Sequence, residues 1–238
     1  MTVRCLWQRP LAAVHSVYIP PSILLLSFHS ETMSAERIPL FPLEVVLFPG
    51  TPLPLHIFEP RYKLMIRRCV ESRREFGVIL ARSDGTAGVG CTAEIVKVVK
   101  RYEDGRMDIL TMGQTPYRVL KVFDQQPYLE AAVEFLEDGP GRAAPELQQK
   151  LLKLFDDCHT LLFGRASSPR GAYAEFSLAF QIAAELPLDL EFKQELLEIR
   201  SEPERQSRLI ERLEKWLPQL ANLERVRGKA GGNGHGLG

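Results

Sequence analysis

The side chains able to do chemistry are sparse. His56, Glu59 and Arg61 fall close together, and His56 has the chemistry of a general base or a metal ligand. Either role needs company: a nucleophile to activate, or further ligands. No Cys, His or Asp lies near His56 in sequence, so it reads as a histidine packed on a strand. His159 sits between apolar helical positions and reads the same way. Glu59 and Arg61 can bridge each other at a helix start or touch a bound partner, and the sequence leaves both open. Cys5, Cys69, Cys91 and Cys158 are widely spaced and form no C-x-x-C pair. That speaks against zinc and for reduced, buried thiols in a cytoplasmic protein, although a disulfide between distant cysteines stays open.

Motifs for phosphate-driven or nucleophilic chemistry are missing. There is no G-x-x-x-x-G-K-[ST] loop, and Arg227-Gly228-Lys229-Ala230 lacks both the loop and the hydroxyl. Neither a G-x-S-x-G elbow nor an H-E-x-x-H pair occurs. The expectation is no catalytic residue, no metal and no cofactor. Formal net charge is +0, so the overall field does not steer the chain toward nucleic acid or membrane. A hydrophobic content of 45% is ordinary for a chain that buries a core.

The elements that must position these residues are organised around 38–62, IPLFPLEVVLFPGTPLPLHIFEPRY. Its prolines lack a donor N–H and fix φ, so the stretch reads as short edge strands bent at Pro49-Gly50-Thr51. Pro60 suits the first turn of a helix, expected from Glu59 to Arg73, with Tyr62, Met65, Ile66, Cys69 and Val70 on one side. Leu53, Leu55 and Ile57 alternate with Pro54, His56 and Phe58, so both faces of that strand are largely apolar. One face can enter a core; the other needs helices, a second subunit or a bound partner. Short strands follow at 76–81, 91–99, 107–112, 117–123 and 128–136, with turns at Ser83-Asp84-Gly85-Thr86 and Glu103-Asp104-Gly105-Arg106. This spacing suggests a small closed or nearly closed barrel.

Glu137-Asp138-Gly139-Pro140-Gly141-Arg142 is a linker by composition. Beyond it, helical stripes carry Leu147, Leu151, Leu154, Cys158 and Leu161, then Tyr173, Phe176, Phe180 and Ala183, then Leu209, Leu213, Trp216, Leu217 and Leu220. Asp189 can cap one helix, and Ser201-Glu202-Pro203-Glu204 has capping-box spacing. The expected division is 1–34 as an extension, 35–138 as the barrel, 139–224 as a helical subdomain and 225–238 as a disordered glycine-rich tail. In the extension, Pro20-Pro21 interrupts the apolar core that a signal peptide needs, and Ile23 to Phe28 is too short to span a bilayer. Met33 is read as the true start.

The chain resembles the Lon substrate-binding (amino-terminal) domain over roughly Ile38 to Leu217. The resemblance is carried by Pro39-Leu40-Phe41-Pro42-Leu43, by Val45-Val46-Leu47-Phe48-Pro49-Gly50 and by Leu53-Pro54-Leu55-His56-Ile57-Phe58-Glu59-Pro60-Arg61-Tyr62. Further matches are Gly90 to Ile95, with Cys91 a departure, then Asp104-Gly105-Arg106 to Gly113, and Leu186 to Glu198. HIFEPRY is similar to stand-alone bacterial proteins of this kind. The resemblance implies an α+β fold: a PUA-like β-barrel with one inserted helix, followed by an α-helical subdomain. It also implies a non-enzymatic binder of unfolded or peptide-like protein segments, accessory to proteolysis or quality control, with a protease or chaperone as a further partner. The ATPase and Ser-Lys peptidase modules of full-length Lon follow this region, and too few residues remain here to encode them. The expected substrate-binding residues are Phe41, Leu43, Phe48, Pro54, Leu55, His56, Phe58, Glu59, Arg61 and Tyr62. They form a groove in which the 53–58 strand lies beside the 38–48 strand. An RNA-binding role through Arg67, Arg68, Lys97, Lys100 and Arg101 is disfavoured by neutrality and by the lack of interleaved exposed aromatics. A small-molecule receptor role, implied by some eukaryotic proteins with this domain, depends there on a separate domain that is not seen here.

Overall fold

A computed structural model of the chain describes residues 36–165 and 177–232, with side chains described through Val226. The extension at 1–34, the break at Ser167 to Gly171, and Tyr173 and Phe176 lie outside the described residues. The described residues belong to one compact unit. Six strands and five helices are described: β1 (Glu36–Leu43), β2 (Pro52–Ile57), α1 (Pro60–Ser72), β3 (Phe76–Arg82), β4 (Gly85–Arg101), β5 (Met107–Phe123), β6 (Glu130–Phe135), α2 (Pro145–Phe163), α3 (Leu178–Glu185), α4 (Leu190–Glu198) and α5 (Glu202–Gly232).

The sheet order is β2-β5-β4-β3-β1-β6, and β5 also pairs with β6. The pairings therefore run in a closed circuit through β1, β3, β4, β5 and β6, with β2 added on one flank. β1 is not the edge strand that its prolines suggest. Glu36 to Pro39 pair with β6 and Leu40 to Leu43 pair in parallel with β3. Each half thus has one laddered side, and Pro39 and Pro42 are tolerated because the other side asks for no N–H. β2 does not lie beside β1; it pairs only with β5, through Pro52↔Met112 to Ile57↔Met107. The two strands expected to line one groove are therefore not neighbours in the sheet.

The strands expected at 107–112 and 117–123 are one 17-residue strand, β5. Gly113 and Pro116 interrupt the apolar pattern but not the ladder, which absorbs them with register shifts against β4. Gly113 is required by close approach: a Cβ there would lie 2.1 Å from the carbonyl oxygen of Phe48. Gly50 N–H donates to Gly113 O (2.8 Å) and Gly113 N–H to Thr51 O (3.0 Å), pinning the bend that leads into β2. Inside the circuit, Tyr117 is fully buried with Ile38, Leu40, Ala131 and Val133, and its hydroxyl donates to Val78 O (3.1 Å).

α1 begins at Pro60 as the missing N–H predicts and ends at Arg73, whose φ of 52° is left-handed. It buries Tyr62, Met65, Ile66 and Cys69. The helices α2 to α5 share a continuous apolar core with the strands, including Phe48, Phe76, Leu151, Phe155, Phe180, Leu196, Leu209 and Leu213. Asp189 caps α4 by accepting from Phe192 N–H (2.9 Å). Glu202, expected inside a capping box, instead accepts from Ser177 and Arg205 and joins α3 to α5. α5 runs to Gly232, so helical backbone continues past residue 225, where composition implied a disordered tail.

Candidate functional site

β2, β5 and β4 present one open face. In an antiparallel pair, residues opposite each other point to the same side. The registers set Pro52, Met112 and Glu94 in one row, Pro54, Leu110 and Lys97 in the next, and His56, Asp108 and Lys100 in the third. Pro52, Pro54 and His56 are exposed, Leu110 and Met112 are half-buried, and Glu94, Lys97 and Lys100 are exposed. The alternate residues Leu53, Leu55, Ile57, Ile109 and Val98 turn inward to the core. The face is thus an apolar strip with a graded charged margin, acidic at Glu94 and basic at Lys97 and Lys100.

Phe58 stands just past the end of β2 and is 60% exposed. Nothing among the described residues covers it, although it is a large apolar ring on a strand otherwise anchored in the core. The free edge of β2 is blunted. Thr111 Oγ1 donates to Leu53 O (2.8 Å), so Leu53 and its alternates turn their backbone groups toward β5. Outward are the carbonyls of Pro52, Pro54 and His56 and the single N–H of His56, because proline has none to offer.

A polar cluster closes the basic end. His56 Nδ1 lies 2.5 Å from Asp108 Oδ1, and Tyr102 Oη donates to Asp108 Oδ2 (2.8 Å). The His56 and Tyr102 hydrogen bonds hold the Asp108 carboxyl below the usual carboxylate range, against an opposing effect of burial. The same bond pushes the Tyr102 phenol up. The rings of Phe58 and Tyr102 lie 6.1 and 5.9 Å from that of His56. Lys100 Nζ sits 4.5 Å and the Arg106 guanidinium 4.9 Å from the Tyr102 ring centre. Lys63 Nζ on α1 donates to Asp104 O (2.9 Å), tying the helix to the β4–β5 hairpin. The Arg106 backbone N–H, and then its guanidinium, hold Asp104 below the usual carboxylate range.

The ten expected residues separate. Phe41 (6% exposed), Phe48 (1%) and Tyr62 (7%) are core. Phe41 packs on Tyr62 with ring centres 4.1 Å apart, and Phe48 stacks on Phe180 at 4.9 Å. Leu43 and Leu55 are half-buried against the same core. Pro54, His56, Phe58, Glu59 and Arg61 gather at the open face and its end, where Arg61 Nε donates to Glu59 Oε2 (2.8 Å). His56 is not the packed histidine expected; its partner Asp108 is remote in sequence and brought opposite by the β2–β5 register. Leu110, Met112, Asp108, Tyr102 and Lys63 were not anticipated at the site. The signal was present in 107–112, MDILTM, where both alternating sets are largely apolar, as in 53–58.

Of the basic residues considered for RNA, Lys97, Lys100 and Arg101 cluster at the carboxyl end of β4. Arg68 is engaged elsewhere, donating to Tyr128 Oη (2.9 Å) and Gln126 Oε1 (3.1 Å). Aromatic groups do stand among these cations, at Tyr102 and Phe58, contrary to the sequence reading. His159 is buried with Nδ1 2.8 Å from Arg165 O. Cys69, Cys91 and Cys158 are free and buried, and burial pushes the Cys69 and Cys158 thiols up to about 11 and Cys91 higher. Such thiols are protonated and unreactive at neutral pH. Among the described residues, no group of three His, Cys, Asp or Glu could hold a metal, and no helix is long and apolar enough to cross a membrane.

Residues 37–215 match the family model of the ATP-dependent protease La (LON) substrate-binding domain. The chain belongs to that family. Relatives of this Lon substrate-binding domain include Lon protease 1 of Bdellovibrio bacteriovorus, 26% identical over 209 residues, which are 81% of this chain and 26% of that protein. Protein cereblon of Xenopus tropicalis is 34% identical over 115 residues, 44% of this chain and 26% of that protein. The chain spans about a quarter or less of the curated relatives' length. A Lon N-terminal domain protein from Xanthomonas campestris superposes with a TM-score of 0.58 at 25% identity, covering 74% of this chain and 97% of that one. The N-terminal domain of a Mycobacterium avium complex Lon protease shares the fold, with a TM-score of 0.54 at 16% identity, covering 75% of this chain and 98% of that one.

Proposed function

We propose that this Lon domain is a non-enzymatic module that binds extended, unfolded or peptide-like protein segments across the β2–β5–β4 face, with Phe58 as the apolar anchor. The carrying observation is Phe58, 60% exposed beside a strip of Pro54, Leu110 and Met112 on a sheet flank with a free edge. Exposed apolar side chains in a contiguous strip mark interaction surfaces. Extended peptides commonly lie along such flanks, taking affinity from the main chain and selectivity from side-chain sites. The blunted β2 edge limits the main-chain part, so side-chain contacts dominate. Each fully buried apolar side chain contributes roughly 1.5–3 kcal/mol. Three or four such contacts, less the cost of ordering a flexible chain, leave micromolar to millimolar affinity, on the order suited to sampling many clients.

The family membership and the Lon relatives support protein-like partners, and a protease or chaperone would act on what is bound. The closed strand circuit supports reading 35–138 as a PUA-like barrel with α1 inserted. Three free, buried thiols support a cytoplasmic setting. The test is Phe58→Asp. The variant is expected to melt cooperatively near the wild-type temperature while losing capture of an unfolded model protein. Undiminished capture by the folded variant would remove Phe58 from the site.

A further inference from the structure

The open face is not electrically neutral, and its asymmetry bears on which segments it takes. We infer that it selects extended protein segments carrying acidic residues next to a large apolar residue, with the acidic part lying over Lys97, Lys100 and Lys63 and the apolar residue on Phe58. This rests on the peptide-binding reading above and specifies the partner's chemistry. Segments 56–63 and 97–108 carry six Lys or Arg against four Asp or Glu, in a chain whose totals are 30 and 30. The positive excess is therefore local to the end of the face where Phe58 stands.

The local carboxylates are mostly committed. Glu59 holds Arg61, Asp104 holds Arg106, and Asp108 takes His56 and Tyr102. The cations are less so. Lys100 lies over the Tyr102 ring, Lys63 donates to a neutral carbonyl, and Arg101 reaches the Met107 sulfur at 3.8 Å. None of these three, nor Lys97, makes a contact ion pair among the described residues; Lys63 and Lys100 act on Asp104 and Asp108 only at longer range. At the other end of the strip Glu94 is exposed and accepts from Gln114 (3.0 Å). An acidic segment gains at the Phe58 end and is repelled at the Pro52 end, which also fixes its placement along the strip.

The spacing agrees. His56 bridges the Phe58 and Tyr102 rings at about 6 Å from each, and Lys100 lies over the latter. An extended chain advances about 3.4 Å per residue, so the acidic residues belong within about four positions of the apolar anchor. The Tyr102 hydroxyl is held by Asp108 and its ring carries Lys100 and Arg106, so the cations are pre-positioned rather than free. A single-stranded RNA would also meet cations and rings here. Two features favour protein: the strip between the cations and Pro52 is apolar, and Glu94 would repel a phosphate chain laid along it.

Three fluorescent peptides decide the matter. They share one aromatic-aliphatic core and carry acidic, neutral or basic flanks, and anisotropy titrations are run with the full chain at low and high salt, beside a labelled single-stranded RNA. The acidic peptide is expected to bind about tenfold more tightly than the basic one at low salt, the sum of a few exposed ion pairs, and the gap is expected to narrow with salt. The double variant Lys97→Glu/Lys100→Glu is expected to abolish or reverse that ratio while melting normally, and Glu94→Lys to widen it. Equal binding of all three peptides overturns this inference alone and leaves the peptide-binding reading standing. Binding of none overturns both. RNA that outcompetes the acidic peptide overturns the inference in favour of a nucleic-acid face.

Discussion

Arg205 and Lys100 each lie over an aromatic ring beside an aspartate, yet water treats them differently. Arg205 is 1% exposed, 4.3 Å from the Phe180 ring centre, and donates to Asp138, to Glu202 and to Ile199 O. Phe180 in turn stacks on Phe48, whose carbonyl presses on Gly113. This line of contacts runs from the 137–142 linker through α5 and α3 to the bend that launches β2. Lys100, over Tyr102 beside Asp108, is open to solvent and acts on that carboxylate at longer range, without a contact ion pair. The same parts that clamp the helices to the strands when buried offer unspent charge when exposed. Burial makes an ion pair obligatory, because an unpaired charge in the interior is costly. Exposure leaves the cation free to exchange water for a partner.

The contrast is most easily broken in its buried half. Phe48→Ala in the buried line is expected to cost about 3–5 kcal/mol, read as a drop in the denaturation midpoint. A change near zero would mean that Phe48 is not core. Arg205→Met is expected to cost about 3 kcal/mol, at the low end for a broken buried pair because Asp138 remains partly in water. A variant as stable as wild type would make the clamp ornamental.

The pH dependence sharpens the comparison further. Burial acts to raise Asp138, but Arg205 and Arg200 outweigh it and the carboxyl stands below its ordinary range. A depressed folded value stabilises above the unfolded value, near 3.9, and that stabilisation is lost as pH falls through the folded value. Asp138→Asn should therefore melt below wild type at neutral pH, with the gap closing as pH falls through the depressed folded value; a gap of constant size would exclude Asp138 as its source. The smallest effect on stability belongs to Phe58→Asp, expected within about 0.5 kcal/mol of wild type, as is usual for surface positions. A collapse of that variant would place Phe58 under a covering element and end its role as anchor.

How much of this could be read beforehand depends on sequence distance. The bend at Pro49-Gly50-Thr51, the Pro60 start of α1, the Asp104-Gly105 turn and the Asp189 cap are local signals, and each has the expected counterpart. The continuity of β5 was hidden because Gly113 and Pro116 mimic a strand end, while the reason for Gly113 is a carbonyl from the 47–51 bend. His56 looked isolated because Asp108 comes from another strand by register alone. Phe41, Phe48 and Tyr62 looked like binding residues because an apolar side chain reads alike whether it faces a partner or the core. Arg205 carried no sign of burial, since an arginine on an amphipathic helix ordinarily faces solvent.

The exchange of partners along β1 also bears on synthesis at the ribosome. Its second half can pair once β3 has been made, but its first half pairs with Glu130 to Val133. The earliest strand of the domain must therefore wait, with Ile38 uncovered, until nearly the whole β region has emerged. Closing so long a loop is entropically slow. A nascent chain stalled before Val133 would expose the apolar stretch that the finished protein buries, making this domain, while incomplete, itself a client for the quality-control machinery.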